Sequence, residues 1–394
     1  MEFIILVLLA AAVFWLEGWL YRHFGARGLQ YRCYLSASEV FEGDEIELVE
    51  ELTNAKLLPM PWLKAEITAS RFLEFAGTQS VVTDQTRFVS SFFSLRGYQK
   101  VVRRWKVKCL KFGTYSVERI VLVSSDLLGL ESISHPAGLS ASVRVLPRPA
   151  PLEELEQQYQ KPLGELVVRR RFLPDPFFAA GVREYSEFDP MTHIHWNASA
   201  REGRLMVRDC ESTAQQNISV ILNMQSQAEE RRIPVNIPAV ENCIRICAAC
   251  FDQTIATGIP LRFLTNGTVE DDENAVTITQ ERWGREHVMD LLRVLSGLRI
   301  VSTRKFPDFL WESAAALETT DIVLVSTYLD SEIAAFAQDR VMRGISVRLL
   351  ILYPPDGEIV LPDCPVLYLY DTAFSERGEP HEQPEQPSRP AGDD

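Results

Sequence analysis

The sequence predicts an α+β multidomain protein, with an N-terminal membrane helix, a β-sandwich-like domain and then an α/β domain. Three observations predict this. Residues Phe3 to Tyr21 form an apolar run. From about Leu29 to Leu146, apolar and polar residues alternate between turns rich in Gly and Pro. From Asn217 onward, strand-like and helix-like runs alternate, the pattern of a mostly parallel sheet covered on both faces. A chain of 394 residues, 46% of them hydrophobic, has room for two or three cored domains. We expect an anchor over 1–21, a β-sandwich-like domain over 29–147, a connecting region over 152–215, the α/β domain over 216–373 and a disordered tail over 374–394.

The anchor comes first. In FIILVLLAAAVFWLEGWLY the apolar run is broken only at Glu17. Counted to Leu20 it reaches about 18 residues, the short end of what crosses a bilayer. A signal peptide, one alternative, would carry positive charge ahead of the run, where this chain has Glu2. An interfacial helix is the other. Arg22, His23, Arg27 and Arg32 follow the run, so the positive-inside rule puts the C-terminal side in the cytoplasm.

The β region is read from its alternation. DEIELVEEL, WLKAEITA, RFVSSFFSL, RRWKVKC and VERIVLV are strand-like runs separated by turn residues. In RRWKVKC, Trp105, Val107 and Cys109 share one face and Arg104, Lys106 and Lys108 the other, as a half-buried sheet requires. LPRPAP, Leu146 to Pro151, is a linker because its prolines favour extended backbone. In the α/β part, NISVILNM, IPLRFLTNG, DIVLVSTYLD and ISVRLLILY read as strands. VENCIRICAACFDQTIA, REHVMDLLRVLSGL and SEIAAFAQDRVMRG read as helices. The tail is rich in Pro, Glu and Ser and cannot bury a core.

Between the two domains lies GVREYSEFDPMTHIHWNASAREGRLMVRDCE, Gly181 to Glu211. Asp189-Pro190 has the form of a helix start, and Met191, Ile194, His195 and Ala198 recur at helical spacing. Arg201 falls in the last turn and Gly203 at the C-cap, before a strand in LMVRDCE. Arg183 and Arg201 call for acidic partners, with Glu184, Glu187 and Asp189 near in sequence. One reading is an ion network that pins the helix to a sheet with Trp196 as an apolar plug. The other is a docking surface. His193 and His195 are two apart and share no helix face, so they do not form a metal pair.

The chemistry of the chain is sparse. A net charge of −14 argues against nucleic acid as a partner. Cys243, Cys247 and Cys250 spell the C-x3-C-x2-C spacing of cluster ligands. They fall at i, i+4 and i+7 of a helical run, however, and read as core residues. No phosphate-loop, nucleophile-elbow or zinc-protease motif is present. The expectation is no catalytic residue, no cofactor and no metal. In von Willebrand factor A domains the first strand ends in D-x-S-x-S, which holds Mg²⁺. Here those positions are Asn223, Gln225 and Gln227, and the neighbouring strand ends in Ser326 and Thr327. The anionic ligand is missing.

Gly181, Arg183, Glu184, Tyr185, Asp189, Ile194, His195, Trp196, Ala200, Arg201, Leu205, Val207 and Arg208 together resemble the signature of the domain-of-unknown-function 58 family, described as MoxR-associated proteins. LPMPWL, SSDLLGL and VRVLPRP fit the family layout too. Phe188, Thr192 and Asn197 depart from it, standing where relatives carry Gly, Arg and Lys. Many relatives carry two membrane segments, and this chain has one. The resemblance implies a von Willebrand factor A-like α/β domain and a non-enzymatic scaffold or adaptor in the cell inner membrane. Its partner would be a MoxR-type AAA+ ATPase that assembles or matures other complexes. Arg183, Glu184, Tyr185, Asp189, His195, Trp196, Arg201 and Arg208 would organise the docking signature. The alternative is a divalent-metal-dependent ligand-binding module.

Overall fold

The computed structural model describes residues 2–25, 27–77, 80–125, 132–137, 141–150, 174–185, 194–212, 217–269, 275–318, 320–355, 357, 359, 361–362 and 364–369. In 2, 174–183, 208–212 and 256–257 only the backbone is described. The chain divides into two compact units that are not consecutive in sequence. The first comprises 1–149, 269–272 and 285–299; the second comprises 150–268, 273–284 and 300–394. Helices and strands are numbered in chain order.

In the first unit, α1 runs Glu2–Phe24, and within it Phe3–Phe24 is long and apolar enough to cross a membrane. Two sheets follow, antiparallel but for one edge pair. One orders β1 (Leu29–Leu35), β3 (Glu45–Asn54), β8 (Lys100–Cys109) and β5 (Leu73–Phe75). The other orders β2 (Glu39–Phe41), β11 (Ser142–Leu146), β9 (Gly113–Ser125), β4 (Met60–Ser70), β7 (Thr86–Leu95) and β6 (Ser80–Val82). There β2 runs parallel to β11, and β10 (Ser132–Ala137) adds to β9.

The sheets form a sandwich because alternation gives each a single apolar face. Ile46, Leu48 and Val107 of one sheet share a buried cluster with Ile67, Val89, Val117 and Ile120 of the other. On β8, Val107 and Cys109 are buried and Arg104, Lys106 and Lys108 exposed, as the alternation requires.

A helix from late in the chain completes this unit. α4, Arg285–Gly297, packs on β9 and β11. Its Val288, Leu291, Leu292 and Leu295 recur at helical spacing and are buried. Arg293 donates from Nε to Glu39 Oε1 at 2.8 Å and from a terminal nitrogen to Oε2 at 2.9 Å, which ties α4 to β2. The sequence expectation put this helix in the α/β domain of 216–373. It lies instead with the β-sheets, where its apolar stripe finds a face to cover.

The second unit holds a six-stranded sheet: β17 (Thr277–Ile278), β15 (Leu261–Thr265), β14 (Ile218–Leu222), β19 (Asp321–Ser326), β20 (Val347–Ile351) and β21 (Val366–Tyr368). From β15 to β21 neighbours are parallel, and β17 is an antiparallel edge. Every residue of β14, β19 and β20 is buried, as expected for strands inside a parallel sheet. α3 (Ile237–Thr257) packs on β14 and β19, and α6 (Ser331–Met342) on β20 and α5 (Phe306–Glu312). Asn236 and Asp330 cap α3 and α6 by accepting the Ala239 and Ile333 amides at 3.1 and 2.8 Å.

Antiparallel β12 (Pro174–Glu184) and β13 (Met206–Ser212) form a separate ribbon, with α2 (Trp196–Glu202) between them in sequence. β16 (Gly267–Val269) and β18 (Leu298–Ser302) make a further two-stranded ladder. The expected tail over 374–394 lies outside the described residues.

Candidate functional site

The 181–211 segment is built on the β12–β13 ribbon. Val182, Arg183 and Glu184 pair with Arg208, Val207 and Met206, which sets Arg183 and Arg208 on adjacent strands. The Tyr185 amide donates to Leu205 O at 2.9 Å, and the His195 amide to Met206 O at 2.8 Å. Ile194 makes an extended bridge with Val207. α2 then begins at Trp196, with His195 as its N-cap: Nδ1 accepts the Ala198 amide at 3.1 Å. Ser199 Oγ donates to His195 O at 3.0 Å and accepts the Met206 amide at 2.8 Å, closing the helix onto the next strand. Gly203 ends the helix at φ +69°, a conformation that suits glycine.

Two expectations are corrected here. The helix does not take in Ile194 and His195, because Ile194 is committed to the bridge with Val207 and His195 to the cap. Trp196, the first residue of α2, stands 68% exposed rather than serving as an apolar plug, and no residue of the helix is buried. Among the described side chains of this segment, Ile194, Met206 and Val207 are buried. Of the acidic residues expected to pair with Arg183 and Arg201, only Glu184 is described. Glu184 accepts from Arg204 at 3.1 Å, while Arg201 is exposed in the last turn of α2. Asp189, Glu187 and His193 lie outside the described residues, as do the side chains of Arg183 and Arg208.

A second place is picked out by topology. From β14 the chain crosses to β15 on one side, while β19, on the other side, leads on to β20 and β21. In such sheets, ligands bind at the carboxyl ends of the strands where the winding reverses, here the ends of β14 and β19. Asn223 and Ser326 meet there. Asn223 Nδ2 donates to Ser326 Oγ at 3.0 Å, and Asn223 Oδ1 accepts the Gln225 amide at 2.9 Å. Gln225 Oε1 accepts the Phe306 amide at 2.7 Å, and its Nε2 donates to Glu230 O at 2.5 Å.

Thr327 Oγ1 donates to the Gln225 and Ser226 carbonyls at 3.0 and 3.1 Å. Glu230 is the one carboxylate in this network. It accepts the Ser226 amide at 2.6 Å and the Val235 amide at 2.7 Å, as well as the Ser226 hydroxyl. Gln227, the third position of the motif, is exposed. Burial, first, pushes the Tyr328 phenol beside this network up to about 12.

This donor set does not fit a hard divalent cation. The oxygens that would have to turn toward a metal are buried and already hold protein amides and hydroxyls, and the anionic ligand at the strand tip is an asparagine. The arrangement acts as a polar plug that locks the loops after β14 and β19.

Cys243, Cys247 and Cys250 are wholly buried along α3. Burial pushes the Cys247 thiol well above the ordinary thiol range and that of Cys250 up to about 12, so both stay protonated and unreactive.

In the first unit the structure adds two inward polar residues that the sequence reading passed over. Glu50, fully buried on β3, accepts from Tyr31 Oη at 2.7 Å, Ser91 Oγ at 2.7 Å and Trp105 Nε1 at 2.6 Å. It thereby links both sheets. Asn54, also fully buried, donates to Leu58 O at 2.8 Å and Arg96 O at 3.0 Å, joining two turns.

Residues 181–339 match the model of a family described as "Protein of unknown function DUF58". The match supports the DUF58 family. The DUF58 match thus opens at the β12–β13 ribbon and runs through most of the parallel sheet. No curated protein matches the chain. Solved structures with some likeness include a non-cellulosomal cohesin from the archaeon Archaeoglobus fulgidus, at 11% identity over 33% of this chain and 98% of that one, with a TM-score of 0.22. A Salmonella alpha-2-macroglobulin is 20% identical over 32% of this chain and 7% of its own length, TM-score 0.21. A CARDB domain from Pyrococcus furiosus is 15% identical over 30% and 93%, TM-score 0.20.

Proposed function

We propose that this protein is a non-enzymatic scaffold held in the cell inner membrane by α1. Its cytoplasmic second unit, a sheet of von Willebrand factor A type, docks a protein partner through the face around Trp196. The partner is a MoxR-type AAA+ ATPase, and the complex serves assembly or maturation of other complexes. The observation that carries this reading is the 68% exposure of Trp196 on a capped helix within the family-matching region. An indole left in water adds nothing to the core, and tryptophan is the residue type most enriched among interface hot spots. The plugged strand tips and protonated thiols support a role without chemistry of its own. The cations following α1 support the cytoplasmic orientation.

The test is capture by the detergent-solubilised full chain, with and without ATP, comparing wild type with Trp196→Ala. Recovery of a MoxR-type ATPase, identified by mass spectrometry and lost in the variant, is the expected result. Equal recovery by the two proteins would remove Trp196 from the interface, and recovery of no ATPase would sink the partnership.

A further inference from the structure

The end of α1 is built into the first unit rather than joined to it by a slack linker. Tyr21 is buried with Leu52, Met60, Leu63 and Phe93, and its hydroxyl donates to Pro59 O at 3.0 Å. Lys56, in the turn between β3 and β4, donates to Phe24 O at 2.7 Å and to Gly25 O, so an ammonium caps the helix's last carbonyls. The Ala55 amide donates to Gly28 O at 2.8 Å.

That turn is in turn fastened to the one between β7 and β8. Asn54 bonds to the carbonyls of Leu58 and Arg96, and the Tyr98 amide donates to Lys56 O at 3.0 Å. Gly97 lies so close that an added Cβ would sit 2.4 Å from Leu57 O. Yet this braced pair of turns presents apolar side chains to solvent: Leu57 is 77% and Tyr98 71% exposed. Tyr98 also has φ +56°, a left-handed conformation that is unfavourable for a bulky L-residue and is found where surroundings impose it.

Helix length says where this platform stands. Only Phe3–Leu16 are exposed without interruption; Glu17, Gly18 and Leu20 are partly covered and Tyr21 is buried. Those uninterrupted turns span about 21 Å at 1.5 Å per residue, short of a hydrocarbon core of about 30 Å. A bilayer that α1 spans must therefore reach the turns flanked by the first unit.

We infer that the paired turns 55–59 and 96–99 form a second, interfacial membrane contact. In it Leu57 and Tyr98 enter the headgroup and acyl boundary of the bilayer that α1 spans. This rests on the membrane-anchored reading above. A tyrosine and an aliphatic side chain suit that depth, and the exposed Arg22, Arg27 and Arg96 around them suit anionic headgroups. The contact holds the β-sandwich against the lipid, so that the domain does not swing on the helix.

The experiment uses the full chain, reconstituted in vesicles of phosphatidylethanolamine and phosphatidylglycerol. A benzophenone side chain is placed at Leu57, Tyr98, Leu9 or Val81, one position at a time, and lipid adducts are measured by mass spectrometry after irradiation. All four positions are exposed, so the fold tolerates the probe. Val81 pairs with Phe88, seven residues before the end of β7, about 24 Å along the sheet from the platform. Lipid adducts at 57 and 98 at a yield comparable to that at 9, and several-fold above that at 81, are expected. Adducts at 9 but not at 57 and 98 would overturn the interfacial contact while leaving the anchor intact. Cross-links from 57 and 98 to protein instead of lipid would overturn it in favour of a protein interface. An absence of adducts at 9 would refute the anchor itself.

Discussion

Trp196, Asn223 and Glu50 show how single residues divide their work in this protein. Trp196 is exposed, so Trp196→Ala should move the denaturation midpoint by no more than about 0.5 kcal/mol equivalent, while partner capture falls. A loss of several kcal/mol would mean that the indole is buried in solution. Asn223 is the opposite case. It is wholly buried, and both ends of its amide are used. Asn223→Ala leaves the Gln225 amide without its partner and takes one of two donors from the Ser326 hydroxyl, which still accepts the Tyr328 amide at 3.3 Å; the cost is about 1–3 kcal/mol, to be read as a lower midpoint in urea at unchanged slope. Glu50 and Asn54 were legible in the sequence. They continue the inward phase of Ile46, Leu48 and Leu52 on β3, and a polar residue in that phase must find partners inside. The identity of those partners was not legible, because Tyr31, Ser91 and Trp105 come from three other strands.

The elements show where local pattern and tertiary context part. α4 follows its apolar spacing as a helix should, but spacing alone does not say which sheet it covers. Its attachment gives a pH prediction. The Arg293 hydrogen bonds, first, hold the Glu39 carboxyl below the ordinary carboxylate range. A carboxyl lowered in the folded state stabilises fully above its unfolded value, and the contribution fades as pH falls through the folded one. Arg293→Gln should therefore lower the midpoint at pH 7, and the variant and wild type should converge in acid, once the Glu39 carboxyl is protonated in the folded state too. A gap that stays constant from pH 7 downward would show that the pair contributes by packing alone.

α2 shows the converse. The helical spacing takes in Ile194 and His195, but Ile194 bridges Val207 in extended conformation, and the Asp189-Pro190 signal lies outside the described residues. α2 begins at Trp196, with His195 as its cap.

At the scale of the molecule, two units share one chain by exchanging segments, and α1 is fused into the first of them. Deleting residues 2–16 keeps Tyr21 in its pocket and removes the stretch exposed all round. The truncated protein should move to the supernatant after high-speed centrifugation of lysed cells; continued sedimentation with membranes would show that residues 2–16 are not what holds it there. The sequence by itself determined the order of classes: an apolar helix, half-buried alternating strands, then wholly buried strands between helices. Period and run length are local quantities that each segment carries within itself. Only the tertiary structure decided that 285–297 joins the β-sheets, that the tips of β14 and β19 close on each other, and that Trp196 faces water. Each of these depends on which distant surface satisfies an apolar stripe or a polar atom, and that is a property of the assembled fold rather than of any one segment.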